Sequence, residues 1–117
     1  MKNSIFFVGV EDKRIEKAQL HFSDLLKKNN KSELVYDLKT GFNYFAPGTW
    51  NSNEWGINHT FVGWVSTQEG IVLTVSLEFP YALNGKQLIT AENARAFGHD
   101  MVAAMKEYMQ ESKTFNL

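Results

Sequence analysis

Ile71-Val72-Leu73-Thr74-Val75-Ser76-Leu77-Glu78-Phe79-Pro80-Tyr81-Ala82 is the stretch on which the reading of this chain turns. Successive residues of a strand point to opposite sheet faces. Ile71, Leu73, Val75, Leu77 and Phe79 form one wholly apolar set. Val72, Thr74, Ser76 and Glu78 form the other, which grows polar and ends on a carboxylate. Pro80 has no backbone N–H to give a ladder, so pairing is expected to stop there. A carboxylate at the C-terminal end of a strand, followed by a loop and a helix, lies where open α/β sheets place their chemistry. The plainer reading of Glu78 is a solvated carboxylate at a loop edge.

Outward from this stretch, Gln68-Glu69-Gly70 turns the chain into the strand, and His59 to Ser66, with Phe61, Val62, Trp64 and Val65, reads as a short helix. On the other side, the loop Tyr81 to Ile89 contains the turn Asn84-Gly85, and Thr90 caps a helix running to about Glu111. Its expected buried stripe is Ala94, Phe97, Met101, Met105 and Tyr108. Gly98 lies on that stripe, which leads us to expect a neighbouring element close against it. At the start of the chain, Ile5 to Val10 reads as a buried-type strand and Glu11 to Asn30 as a helix. Ile15, Ala18, Phe22, Leu25 and Leu26 share one face of that helix. Glu11 and Asp12 near its start and Lys27 and Lys28 near its end suit the helix dipole, and Asn29-Asn30 is a stop. Glu33 to Leu38 fits a short strand or a helical turn, and Gly41 to Asn58 is a loop with the turn Pro47-Gly48. With no repeat, linker or low-complexity segment, residues 1–117 read as a single domain. The order strand, helix, loop, helix, strand, helix favours α/β with a mixed or partly parallel sheet flanked by helices.

From Ile71 to Tyr108 the chain resembles the last strand and last helix of zinc carboxypeptidase A-like enzymes, closest to a bacterial subgroup of uncertain substrate. The resemblance is carried by Leu77-Glu78-Phe79-Pro80-Tyr81-Ala82, Asn84-Gly85-Lys86 and Thr90-Ala91-Glu92-Asn93-Ala94-Arg95-Ala96-Phe97-Gly98. Ile5-Phe6-Phe7-Val8-Gly9 is similar to the segment just after that family's last zinc histidine. What the resemblance implies is an incomplete half of a carboxypeptidase-like (phosphorylase/hydrolase-like) fold. In the family the glutamate matched by Glu78 is the general base: it polarises a zinc-bound water that attacks the scissile amide, then passes the proton to the leaving nitrogen. The family holds zinc through a His-x-x-Glu pair and a later histidine. No His-x-x-Glu occurs here, and His21, His59 and His99 match no ligand position. A catalytic zinc needs three protein ligands and an open position. The expectation is therefore a C-terminal part of a zinc-dependent amide or peptide hydrolase. Zinc would belong to the parent enzyme, with none on this chain alone, and the chain would be inactive by itself. A third arrangement, in which another chain supplies the ligands, is left open.

The resemblance also implies a missing neighbour for the strand of Glu78. Unpaired strand edges favour association, so a homo-oligomer through unpaired strands, or a pairing unlike the parent's, is expected. The rival is a non-catalytic α/β binding or interaction module whose contact surface is the aromatic loop from Tyr44 to Trp64. Tyr44, Trp50, Trp55 and Trp64 with Asn51, Asn53 and Asn58 combine apolar walls with amide groups, as ligand pockets do. The same residues would equally seal a loop onto the core. Trp50, Trp55 and Asn53, with Tyr81, are the candidate substrate-binding residues, and Tyr81 has packing as its alternative. His59 reads more simply as a locally hydrogen-bonded helix-start residue than as a ligand, and His21 and His99 as solvated helix flanks.

Composition narrows the classes further. The chain has 117 residues, of which 44% are hydrophobic and 21% charged, with a formal net charge of −1 and no cysteine. Arg14 and Arg95 are the only arginines, and no block of like charge occurs, which argues against nucleic acid as a partner. Disulfides and thiolate metal sites are excluded, and the redox compartment is left open. Ile5 to Val10 is too short for a signal-peptide core, and no apolar run reaches membrane-spanning length, so a soluble chain of unknown compartment is expected. Asn58-His59-Thr60 fits a glycosylation sequon, a pattern common by chance. No Ser-His-Asp set, phosphate-binding glycine loop or paired carboxylate involving Glu54 or Glu92 is recognisable.

Overall fold

A computed structural model describes residues 4–10, 12–37 and 60–114. In chain order these form β1 (Phe6–Val8), α1 (Lys13–Asn29), α2 (Phe61–Ser66), β2 (Ser76–Glu78), β3 (Leu83–Asn84), β4 (Gln87–Leu88) and α3 (Ala91–Thr114). The content is mixed helix and sheet, which agrees with α/β at a coarse level. Both strand pairings among the described residues are antiparallel, β1 with β2 and β3 with β4, where a mixed or partly parallel sheet was expected.

Local chemistry accounts for the helix ends. Asp12 caps α1: its Oδ1 accepts from the backbone N–H groups of Arg14 at 2.9 Å and Ile15 at 3.3 Å, two donors that the first turn leaves orphaned. Asn30 ends the helix and ties down the segment beyond it. Its Nδ2 donates to Leu34 O at 3.0 Å and Asp100 Oδ2 at 2.9 Å, and its Oδ1 accepts from Tyr36 N at 2.7 Å. With these bonds made, residues 31–37 need neither ladder nor helix, and the described part of Glu33 to Leu38 is neither strand nor helical turn. Leu34 and Tyr36 are buried from this irregular segment. Thr90 caps α3 reciprocally with Asn93. Thr90 Oγ1 accepts from Asn93 N at 3.1 Å, and Asn93 Oδ1 accepts from Thr90 N at 2.8 Å, a capping box with an amide at its third position. Thr60 caps α2 through Gly63 N at 3.0 Å.

The core forms where α1 and α3 pack together with β1 and β2 laid across them. Phe7 is buried at its centre, its ring 5.8 Å from that of Phe22 and 5.5 Å, edge-on, from that of Tyr36. Ile5, Leu25, Leu26, Leu34, Phe97 and Ala104 complete it. Ile15, Phe22, Leu25 and Leu26 of the expected α1 face are buried, whereas Ala18 is half-buried. Gln19 and Ser23 take the remaining inward positions because each finds a distant partner. Gln19 Nε2 donates to Thr74 O at 2.6 Å, and the Ser23 hydroxyl bonds the Tyr36 hydroxyl. On α3, Phe97 is buried and Ala94, Met101 and Tyr108 are half-buried, but Met105 is 49% exposed and Ala104 takes its place inside. Gly98 also departs from expectation: a Cβ built there meets nothing within 4 Å, so no neighbour approaches it.

The strand read from Ile71 to Phe79 is shorter than expected. Among the described residues only Ser76–Glu78 of this stretch is paired, in the register Phe6↔Glu78, Phe7↔Leu77, Val8↔Ser76. Its partner β1 spans three residues, and the ladder between the two is no longer than that. The residues before β2 are held by side chains instead, Arg14 Nη1 donating to Ile71 O at 2.6 Å and Gln19 to Thr74 O. The alternation itself holds, since Leu73, Val75 and Leu77 pack against the core. After β2, a hairpin places Gly85, at φ 62°, in its two-residue turn. Asn84 fastens the hairpin to the body: its Oδ1 accepts from Ile5 N at 3.1 Å and its Nδ2 donates to Val35 O at 2.9 Å.

Candidate functional site

Glu78 is the last residue of β2 and lies opposite Phe6. Alternation turns Leu77 toward the core and Glu78 away from it, and the Glu78 side chain is exposed. Phe79, just before Pro80, is 36% exposed, with its ring 5.7 Å from that of Phe97. Tyr81, one step further, is 98% exposed. Glu78 and Tyr81 are thus both exposed, three residues apart at the C-terminal end of β2. Trp50, Trp55 and Asn53, with Tyr44, Asn51 and the sequon residues Asn58 and His59, lie outside the described residues. Of the aromatic cluster, Trp64 is described. It sits on α2 at 54% exposure beside Phe61 at 77%, with ring centroids 6.4 Å apart. In the sequence Phe61 reads only as one of the apolar residues of a short helix. A six-residue helix presents too little surface to bury every face, which was the available signal.

Among the described residues no group of three or more His, Cys, Asp or Glu side chains comes together as a metal site. His21 is exposed on α1, its Nε2 2.5 Å from Glu111 Oε2 and its ring 5.9 Å from that of Tyr108. His99 is exposed on α3. Neither is near β2 in sequence or grouped with other ligands, so the described donor set does not fit a zinc ion.

Along the seam between α1 and α3, protonation equilibria are shifted by identifiable contacts. Lys28 is raised and Glu107 lowered chiefly by the hydrogen bond between them, with Asn29 Nδ2 adding a bond to Glu107 at 2.8 Å. For Asp100, burial pushes the carboxyl up, but bonds from Ser32, Asn30 and the Lys31 backbone together outweigh it and hold the group below the usual range. Burial raises the Tyr108 phenol. These groups lock two helices together, and their partners are all structural. One buried acceptor is left over among the described residues: Gln19 Oε1 has no hydrogen-bond partner. No helix among the described residues is long and apolar enough to cross a membrane.

No protein-family model, curated protein or solved structure matches the chain.

Proposed function

We propose that this chain is the base-bearing C-terminal part of a carboxypeptidase-like amide hydrolase. The observation that carries the reading is Glu78 itself. It is an exposed carboxylate on the last residue of a strand, set by alternation and by Pro80 at the edge from which a capped helix follows. The reading is compatible with β2 having one bonded neighbour, β1, among the described residues. In the proposed reaction Glu78 takes a proton from the water that attacks the scissile carbonyl and returns it to the leaving nitrogen. A carboxylate does this within hydrogen-bond reach of the water. Tyr81, three residues further on and exposed, would serve as a substrate contact. Zinc would bring Lewis-acid activation in the whole enzyme, but the described residues of this chain do not fit it, so ligands from elsewhere must hold it. The carboxypeptidase-like half-fold, the peptide or amide substrate and association of copies through strand pairing all belong to this same proposal.

The test has two arms. Purified chain supplied with zinc and a peptide bearing a free C-terminus is expected to show no turnover and no stoichiometric zinc uptake; turnover would show the ligand assignment to be wrong. In an enzyme uniting this chain with a metal-binding segment, Glu78→Gln is expected to retain the metal and lose about 10²–10⁴-fold in rate. Near-parental rates there would end the assignment.

A second reading is favoured by the exposed pair Phe61 and Trp64: a non-catalytic interaction module contacting its partner through α2. In a capture experiment, that reading requires Phe61→Ser with Trp64→Ser to lose the partner and Glu78→Gln to keep it.

A further inference from the structure

The outer face of α3 carries apolar side chains that the fold does not use. Val102 is 63% exposed and Met105 49%, and with Gly98 they recur at the four-then-three spacing of a coiled-coil seam. This face is turned away from Phe97 and Ala104, which are buried against the rest of the molecule. A mid-helix glycine weakens helix propensity, and at Gly98 no intramolecular neighbour occupies the space it opens. The surface around it therefore has room for a side chain from outside.

We propose that this face of α3 binds the same face of a second copy of the chain, with the two helices antiparallel. The choice of partner and of direction follows from charge. Arg95 continues the seam toward the helix start, and Glu92, His99 and Lys106 flank it on one side, all exposed. In a parallel pairing Arg95 meets its own twin, and Glu92 lies level with the Glu92 of the other copy. In an antiparallel pairing that sets Gly98 opposite Val102, Arg95 falls opposite Met105, and flanking positions of the same kind meet across the seam. Glu92 of each copy then meets Lys106 of the other, twice by symmetry. Val102 of each copy fills the space over Gly98 of its twin. The seam is self-complementary in both shape and charge, which a two-fold interface requires. Glu78 plays no part in this surface, so the hydrolase reading stands or falls separately.

Sedimentation equilibrium of the whole chain tests it. The parental chain is expected to form a dimer, and Met105→Glu to weaken its association by at least about tenfold with an unchanged helical circular dichroism signal. Glu92→Lys alone is expected to weaken it too, and Glu92→Lys combined with Lys106→Glu to restore it. Because the chain has no cysteine, His99→Cys also supplies a single thiol near the two-fold axis. A short thiol-reactive linker is expected to join two such copies, while Lys17→Cys, on the exposed side of α1, stays uncrosslinked. A parental chain that remains monomeric throughout the accessible concentration range overturns the proposal. So does a dimer indifferent to Met105→Glu and to the charge reversals.

Discussion

The seam between α1 and α3 and the ribbon of β1 and β2 are held by different means. The helices are fastened along their length by apolar packing and by side-chain bonds at three levels: His21 to Glu111, Lys28 and Asn29 to Glu107, and Asn30 and Ser32 to Asp100. The ribbon has three residues on each side and relies on what its inward residues touch. One region is braced by its own side chains, and the other is positioned by the core beneath it. A strand whose place is set from below can end on a solvent-facing carboxylate, and the exposed Glu78 stands at that end. The difference teaches where the chain can carry chemistry without losing its fold.

The comparison can be broken most severely at the residue that joins the two regions. Phe7→Ala removes a buried ring from β1 that packs on Phe22 and Tyr36, and should cost about 3–5 kcal/mol in urea unfolding. A loss under about 1 kcal/mol would mean that β1 is not seated as described. Next in size is Asp100→Ala, which leaves the half-buried donors at Asn30 and Ser32 without their acceptor; about 1–3 kcal/mol is expected. The same group gives the seam an acid sensitivity of definite sign. Its folded pKa lies below the ordinary aspartate value of 3.8. Its contribution is therefore present above the unfolded pKa and is lost as pH falls through the folded value. Stability of the parental chain should decline below about pH 4, and Asp100→Asn should flatten that decline. An identical acid limb in the two proteins would remove Asp100 from the account. Asn84→Ala should cost about 1–3 kcal/mol, since it orphans Ile5 N and Val35 O together. Amide exchange at Ile5 would report it, and unchanged protection there would refute the tie. The smallest effect belongs to Glu78→Gln, an exposed change expected to shift stability by less than about 0.5 kcal/mol. A larger loss would show Glu78 to be a folding residue and would sharpen the contrast in the opposite direction.

Much of the helical half was legible from the chain because its signals are local. Thr90 and the Asn29-Asn30 stop act within a turn of their own positions, and the periodicity of Phe22, Leu25, Leu26 and Phe97 reports burial directly. Asp12 also acts locally, although its place near the helix start pointed to the dipole and not to a cap. What escaped depends on partners far away in sequence. Gln19 and Ser23 are polar residues in core positions, and only Thr74 and Tyr36 make those positions tolerable. Nine alternating residues announce a strand, but among the described residues only Ser76–Glu78 of it is paired, with the three residues of β1. Asn84-Gly85 was legible as a turn, whereas the two short strands around it depend on Asn84 reaching Ile5 and Val35. At the candidate site, alternation and Pro80 sufficed to place Glu78 outward at a strand end. For Tyr81 nothing in the residues distinguished packing from exposure, because a tyrosine after a proline turn satisfies either. Gly98 misled for a related reason: a glycine signals that space exists, not that this chain fills it.

The bond from Ile5 to Asn84 also has a consequence during synthesis. It spans 79 positions. At a ribosomal rate of roughly 5–20 residues per second, the first strand waits about 4–16 s for the amide that secures it. For most of that interval the greasy side of the leading helix, Lys13–Asn29, has been made while its covering has not. A nascent-chain chaperone therefore has its longest opportunity to engage this polypeptide before the final helix leaves the exit tunnel.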